Sequence, residues 1–148
     1  MVEKSPFSKI DHVGIIVRDI EKAKKHYQLL GIGPFVPAKV VFLERILRGK
    51  SIDPDSIMYK EEMAKLGPIK IQLIEPVVGR PIMREFLETK GEGASHISFH
   101  VDDIDKEEAK LVAKGLTVLY RSRYESGGGS TSLVTDKVGG VIFELEQL

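Results

Sequence analysis

The hydrophobic positions of this chain fall into two long stretches that repeat one another. Residues 12–31 read HVGIIVRDIEKAKKHYQLLG and residues 96–115 read HISFHVDDIDKEEAKLVAKG, with six of twenty positions identical and no gap. In the first stretch, residues 10–17 are rich in β-branched side chains without strict alternation, the pattern of a strand covered on both faces. Asp19 then offers a carboxylate to cap a helix over residues 20–30, and Gly31 offers the stop. The second stretch repeats the order, with a strand at 97–101, Asp103 as cap, a helix at 105–114 and Gly115 as stop.

Between and after these stretches the apolar runs shorten. They predict strands at 40–47, 57–66 and 69–74, the last stopping at Pro76, and further strands at 117–120, 130–135 and 141–145. Gly67-Pro68 and residues 137–140 read as turns, SGGGS from Ser126 as a loop, and RGKSIDPDS from Arg48 as a hairpin connection longer than a minimal turn. A short helix at 81–89 places Met83, Phe86 and Leu87 on one face. The order is β-α-β-β-β twice: an α+β fold of paired modules at about 9–76 and 94–148, joined by a helical segment at about 80–90. With 148 residues the chain has length for one shared core and not two independent ones, so a single domain spanning 1–148 is expected.

Composition narrows the chemistry. Twenty-two basic and twenty-two acidic residues cancel, so no net field recruits nucleic acid or an anionic membrane. No cysteine is present, which excludes disulfides, a thiolate nucleophile and any Cys-bound metal; a metal here must sit on nitrogen and oxygen. No apolar run reaches the length that spans a bilayer, and the charged start MVEKSPFSK lacks the apolar stretch of a secretory signal, so a cytoplasmic location is expected.

Each half also contributes two metal-capable side chains at matching places. His12 and His96 open the first strands, and Gln72 and Glu144 occupy the same point in the closing strands IKIQLIEP and VIFELEQL. Two imidazoles, an amide oxygen and a carboxylate would suit an octahedral divalent ion with positions open to water or substrate, on a pseudo-two-fold axis relating the modules. Period two alone leaves open which strand faces meet. The alternative is a pair of hydrogen-bonded strand histidines, with Gln72 and Glu144 facing solvent. Gly127, Gly128 and Gly129 lack the Lys-Ser/Thr and the following helix of a phosphate loop and read as a hairpin turn.

The segments IDHVGIIVRDIEKA, IKIQLIEP, ASHISFHVDDID and VIFELEQ together resemble the vicinal oxygen chelate superfamily, the glyoxalase, bleomycin-resistance and dioxygenase group, and within it the methylmalonyl-CoA epimerases most closely. The resemblance covers nearly the whole chain. It implies paired βαβββ modules forming a curved mixed sheet around a metal site, and it places the metal ligands on His12, Gln72, His96 and Glu144. It also implies a divalent cobalt, nickel, manganese or zinc ion, and a homodimer. The activity it implies is metal-dependent proton abstraction next to a carbonyl, as in epimerisation of methylmalonyl-CoA or a related acyl-CoA. The epimerase-type base then falls on Glu61, which alternates with Met63 and Lys65, while Glu62 faces the other way; Glu144 is implied as the second base. His100, two residues past a ligand, is a candidate substrate contact or support for a ligand.

Three other functions share this fold class. Lactoylglutathione lyase usually has Glu where this chain has Gln72; a bleomycin-resistance type of binder would hold its ligand without turnover; an extradiol dioxygenase would use two His and one carboxylate around iron. An acyl-CoA would engage basic groups away from the metal, for which Arg80, Arg84, Lys90, Arg121 and Arg123 are available. The distance from His12 to Gln72 is 60 residues against 48 from His96 to Glu144, so the first half carries an insertion around 48–56 able to reshape a substrate mouth. In a dimer, Ala23, Tyr27 and Leu30 would form a helix face for association.

Overall fold

The computed structural model describes residues 4–79 and 81–148; Arg80, one of the expected basic contacts, lies outside the described residues. Ten strands and three helices are assigned among them: β1 (Ile10–Ile16), α1 (Ile20–Leu29), β2 (Val36–Pro37), β3 (Phe42–Leu47), β4 (Lys50–Ile52), β5 (Met58–Leu66), β6 (Ile69–Val78), α2 (Ile82–Lys90), β7 (Gly93–His100), α3 (Ile104–Ala113), β8 (Val118–Tyr124), β9 (Gly129–Leu133) and β10 (Ile142–Gln147). The fold is α+β with mixed pairing, since β1 pairs β6 in parallel while β5–β6, β8–β9 and β9–β10 are antiparallel.

The chain groups into two compact units. One, here the amino unit, comprises His12–Lys39 and Asp55–His96; the other, the carboxy unit, comprises the chain up to Asp11, Val40–Pro54 and Ile97–Leu148. Strands β1 and β7 each pass from one unit into the other.

In the amino unit the strands run β2-β5-β6-β1, with the first half of β7 beside β1. Asp19 caps α1 by accepting from the Lys22 amide at 3.1 Å, and Gly31 leaves it at φ 81°, a left-handed value that favours glycine. The helix lays Ile20, Ala23 and Tyr27 on the sheet face formed by Val17, Ala64, Ile71 and Leu73. Ala23 and Tyr27 therefore serve this core, and Leu29 and Leu30 are the apolar residues of that helix end left exposed.

The carboxy unit repeats the device. Its strands run β7-β10-β9-β8-β3-β4, and Asp103 caps α3 by accepting from the Lys106 amide at 3.0 Å. Ile104 and Leu111 pack with Phe99, Val101, Leu133 and Leu145. Phe7 joins them edge-on to Phe99, with ring centroids 5.1 Å apart.

Aligned this way, the order β1-β6-β5-β2 matches β7-β10-β9-β8. The second strand of the first module is thus β2, and not the run at 40–47. That run forms β3, which belongs with β4 to an inserted hairpin whose outer partner is β8. The module boundaries expected at 9–76 and 94–148 accordingly differ from the compact units, because Val40–Pro54 groups with the later residues. RGKSIDPDS is likewise not one long connection. Arg48 (φ 48°) and Gly49 (φ 77°) make a two-residue turn with the positive dihedrals of the primed hairpin type, and Lys50–Ile52 returns as β4. Nor does β6 stop at Pro76. The strand absorbs the missing amide at an irregularity between Met58 and Tyr59 and continues to Val78. The linking helix begins at Ile82, and β7 starts at Gly93, four residues earlier than its β-branched run suggested.

Candidate metal centre

Strand register decides which side chains share a face, because residues directly opposite one another point the same way. In the amino unit His12 lies opposite Lys70, and Lys70 opposite Lys65; Gly14 lies opposite Gln72, and Gln72 opposite Met63. His12, Gly14, Gln72, Met63 and Glu61 therefore occupy one face. The opposite face carries Ile71, Leu73, Ala64 and Glu62 toward α1.

This separates the two adjacent glutamates. Glu62 is turned to the helix, where its carboxylate meets the Lys24 ammonium at 2.9 Å. The Lys24 pKa is raised, chiefly by that hydrogen bond and then by Glu21. Glu61 stands opposite Ile74 on the histidine face, diagonal to Gln72 at a typical Cα separation of about 7–8 Å.

His12 is fully buried, and its Nε2 lies 3.3 Å from Nε2 of His96. Two nitrogens bound to one cation at about 2.1 Å stand about 3.0 Å apart at a right angle and about 3.4 Å apart at the tetrahedral angle, so this separation suits a shared ion. The hydrogen bonds of His96 support the same role. Ser95 Oγ donates to the Gly14 carbonyl at 3.5 Å and accepts from His96 Nδ1–H at 3.0 Å, which leaves the Nε2 lone pair aimed toward His12. A Cβ on residue 14 would stand 1.9 Å from His96 Cε1, so the ring occupies space that only glycine provides.

Gln72 offers an amide oxygen on the same face. It is 5% exposed, and its Oε1 is buried with no hydrogen-bond partner among the described residues. An orphaned amide oxygen costs roughly 1–3 kcal/mol, and a cation beside the two imidazoles would satisfy it. The residues present therefore fit a divalent metal held by nitrogen and oxygen.

Glu144 belongs to the carboxy unit, opposite Ser132 in the β9–β10 pair. Ser98 Oγ donates to its Oε1 at 2.9 Å and Ser132 Oγ to its Oε2 at 3.2 Å. Both serines are buried, so the carboxylate is fixed at each oxygen while retaining lone pairs for a further partner. Glu144 thus offers a carboxylate within the carboxy unit, as His12 and His96 offer two imidazoles within the amino unit, and both donor types suit a divalent metal. His100 is placed differently: its Nε2 lies 3.4 Å from the exposed Asp102 carboxylate.

Sequence reasoning missed the supporting residues. Ser95 and Ser132 carry no motif, and Gly14 was legible only as a glycine inside a strand. Tyr124 was also missed; burial, reinforced by Glu146 and Glu144, pushes its phenol far above the ordinary range and keeps it a neutral hydroxyl. Four of the expected CoA-binding cations, all among the described residues, are engaged elsewhere. Arg121 bonds Glu44 and Asp105, Arg123 bonds Asp105 and Glu108, Arg84 donates to the Pro76 carbonyl, and Lys90 lies over the Phe86 ring.

Comparison with known proteins agrees with this architecture. The chain belongs to the glyoxalase/bleomycin resistance protein/dioxygenase superfamily, whose family model matches residues 11–134. It is similar to the uncharacterized protein YqjC of Bacillus subtilis (strain 168), 24% identical over 141 residues that cover 93% of this chain and 91% of that protein. Among solved structures it resembles a Streptomyces coelicolor methylmalonyl-CoA epimerase variant in complex with 2-nitronate-propionyl-CoA, with a TM-score of 0.72, 26% identity and coverage of 95% and 96% of the two chains. The methylmalonyl-CoA epimerase from Mycobacterium tuberculosis shares the fold at a TM-score of 0.71, with 24% identity and coverage of 99% and 91%.

Proposed function

We propose that this protein catalyses metal-dependent proton abstraction from the carbon next to a carbonyl, epimerising methylmalonyl-CoA or a closely related acyl-CoA. The observation that carries the reading is the Gln72 Oε1 atom, buried without a hydrogen-bond partner on the face where the His12 and His96 Nε2 atoms converge. Superfamily membership and the likeness to an epimerase that binds a propionyl-CoA analogue supply the reaction class.

In this reading His12, Gln72, His96 and Glu144 hold a divalent cobalt, nickel, manganese or zinc ion. The ion, when bound, supplies positive charge that stabilises the oxyanion of an enolate. Glu61, on the histidine face and two residues along its strand from Met63, takes the α-proton. Glu144 serves as the second base on the opposite side of the reacting carbon, its carboxylate oriented by Ser98 and Ser132. Glu62 has no part, because Lys24 holds it against α1. A homodimer is part of the same proposal, and light scattering over a concentration range tests it: a constant mass near 16.5 kDa rejects it. No helix among the described residues is long and apolar enough to cross a membrane.

Metal-loaded protein should exchange the α-hydrogen of methylmalonyl-CoA with deuterated water. Glu61→Gln should slow that exchange by roughly two orders of magnitude or more while metal content stays unchanged, as expected for loss of a general base. Unchanged exchange in this variant would remove Glu61 from the reaction. Turnover of glutathione hemithioacetal or a catechol, with none of the CoA thioester, would replace the substrate assignment.

A further inference from the structure

On the same face as the histidines, the amino unit carries a feature that proton transfer does not use. The row that begins at His12 continues through Lys70 on β6 to Lys65 on β5, each directly opposite the next. Like charges placed directly across an antiparallel pair repel, and Lys65 makes no ion pair among the described residues. Beside the two lysines opens a cavity of about 570 Å³, walled by Pro34, Val36, Pro37 and Met63 as well as Lys65 and Lys70. Val36 lies opposite Met63, itself opposite Gln72, so the apolar wall continues the row that contains the orphaned amide.

We infer that this cavity receives the phosphorylated tail of the thioester, with Lys65 and Lys70 binding its phosphate oxygens and Val36 and Met63 lining the aliphatic arm. The choice of ligand rests on the acyl-CoA reading above; the cavity and its charge do not. Neighbouring strands lie about 4.8 Å apart, so Lys65 stands about 10 Å across the sheet from His12. A substrate with its carbonyl at the histidines would extend outward along this row. Arg84, Lys90, Arg121 and Arg123 are already bound to acids, a carbonyl or an aromatic ring, whereas Lys65 makes no ion pair among the described residues.

Direct binding separates this inference from the proposed activity. Calorimetric titration of the full chain with coenzyme A and with pantetheine, which lacks the phosphates, should show coenzyme A binding about tenfold tighter or more. Lys65→Glu should abolish that difference, Lys65→Arg should keep most of it, and circular dichroism should show both variants folded. Equal affinities in the unaltered protein, or a difference that survives Lys65→Glu, would overturn the inference even if methylmalonyl-CoA exchanges its α-hydrogen normally. A Lys65-dependent difference without any such exchange would uphold the cavity and remove the epimerase reading.

Discussion

Two residues past each histidine, the repeat places a glycine in one half and a serine in the other. Gly14 gives up its side chain so that the His96 ring can lie across the strand, and its carbonyl accepts from the serine that orients that ring. Ser98, at the matching place, keeps its side chain and donates to the Glu144 carboxylate. Equivalent positions thus act in opposite ways, one by vacating volume for a ring and the other by filling it with a hydrogen-bond donor. The closing strands differ in parallel: Gln72 is neutral with a bare oxygen, whereas Glu144 is an acid held at both oxygens. A repeat of this kind can preserve its backbone while dividing its chemistry between the halves.

Making residue 14 like an ordinary strand position should break the comparison most severely. Gly14→Ala forces the His96 ring away, and metal affinity measured by competitive chelation should fall by about 100-fold or more, a loss as large as removal of a ligand's best support produces. Retention of wild-type affinity would show that the ring does not occupy that space.

Converting the serine to the glycine of its counterpart is milder. Ser98→Gly leaves Ser132 on Glu144, and metal affinity should drop about tenfold. Ser95→Ala should have a similar effect through the freed Nδ1 of His96, visible as a changed imidazole tautomer in nitrogen NMR spectra.

Away from this face the effects should be confined to stability. Glu62→Gln weakens the tie between β5 and α1 and should lower the thermal midpoint by no more than a few degrees, with metal affinity and α-hydrogen exchange unmoved. A loss of exchange comparable to that of Glu61→Gln would reverse the assignment of the two glutamates.

The smallest expected effect is a pH dependence in the carboxy unit. The Arg123 hydrogen bond, with help from Arg121, holds the Asp105 carboxyl below its ordinary pKa. A depressed folded-state pKa contributes stability that is present above the unfolded value of about 3.9 and is lost as pH falls through the lower folded one. Asp105→Asn should therefore flatten denaturant midpoints between neutral pH and that acid range, slightly, because Asp105 is largely exposed.

What could be read from the residues alone was local. The caps at Asp19 and Asp103, the stops at Gly31 and Gly115 and the alternation that separates Glu61 from Glu62 each depend on a few adjacent residues. The places where reading failed depend on distant ones. Nothing near Gly14 reveals that a ring 82 positions later needs its space, and nothing near Phe42 reveals that its partner is Tyr124. Pro76 reads as a strand end because the irregularity beside it, with Val77 left out of the pairing, shows only in the register against β5.

The inserted β3–β4 hairpin has a consequence for synthesis. A ribosome releases it well before β8, whose first residue follows the end of β3 by 71 positions. Until then the hairpin lacks its eventual partner, while Val40, Val41 and Leu43 stay exposed even in the finished protein. An unpaired edge with exposed valine and leucine is a template for association between chains. The nascent protein should therefore be most exposed to aggregation in the interval between emergence of the insertion and arrival of β8, and slow codons or chaperone contacts in that interval would affect its yield more than equivalent delays elsewhere.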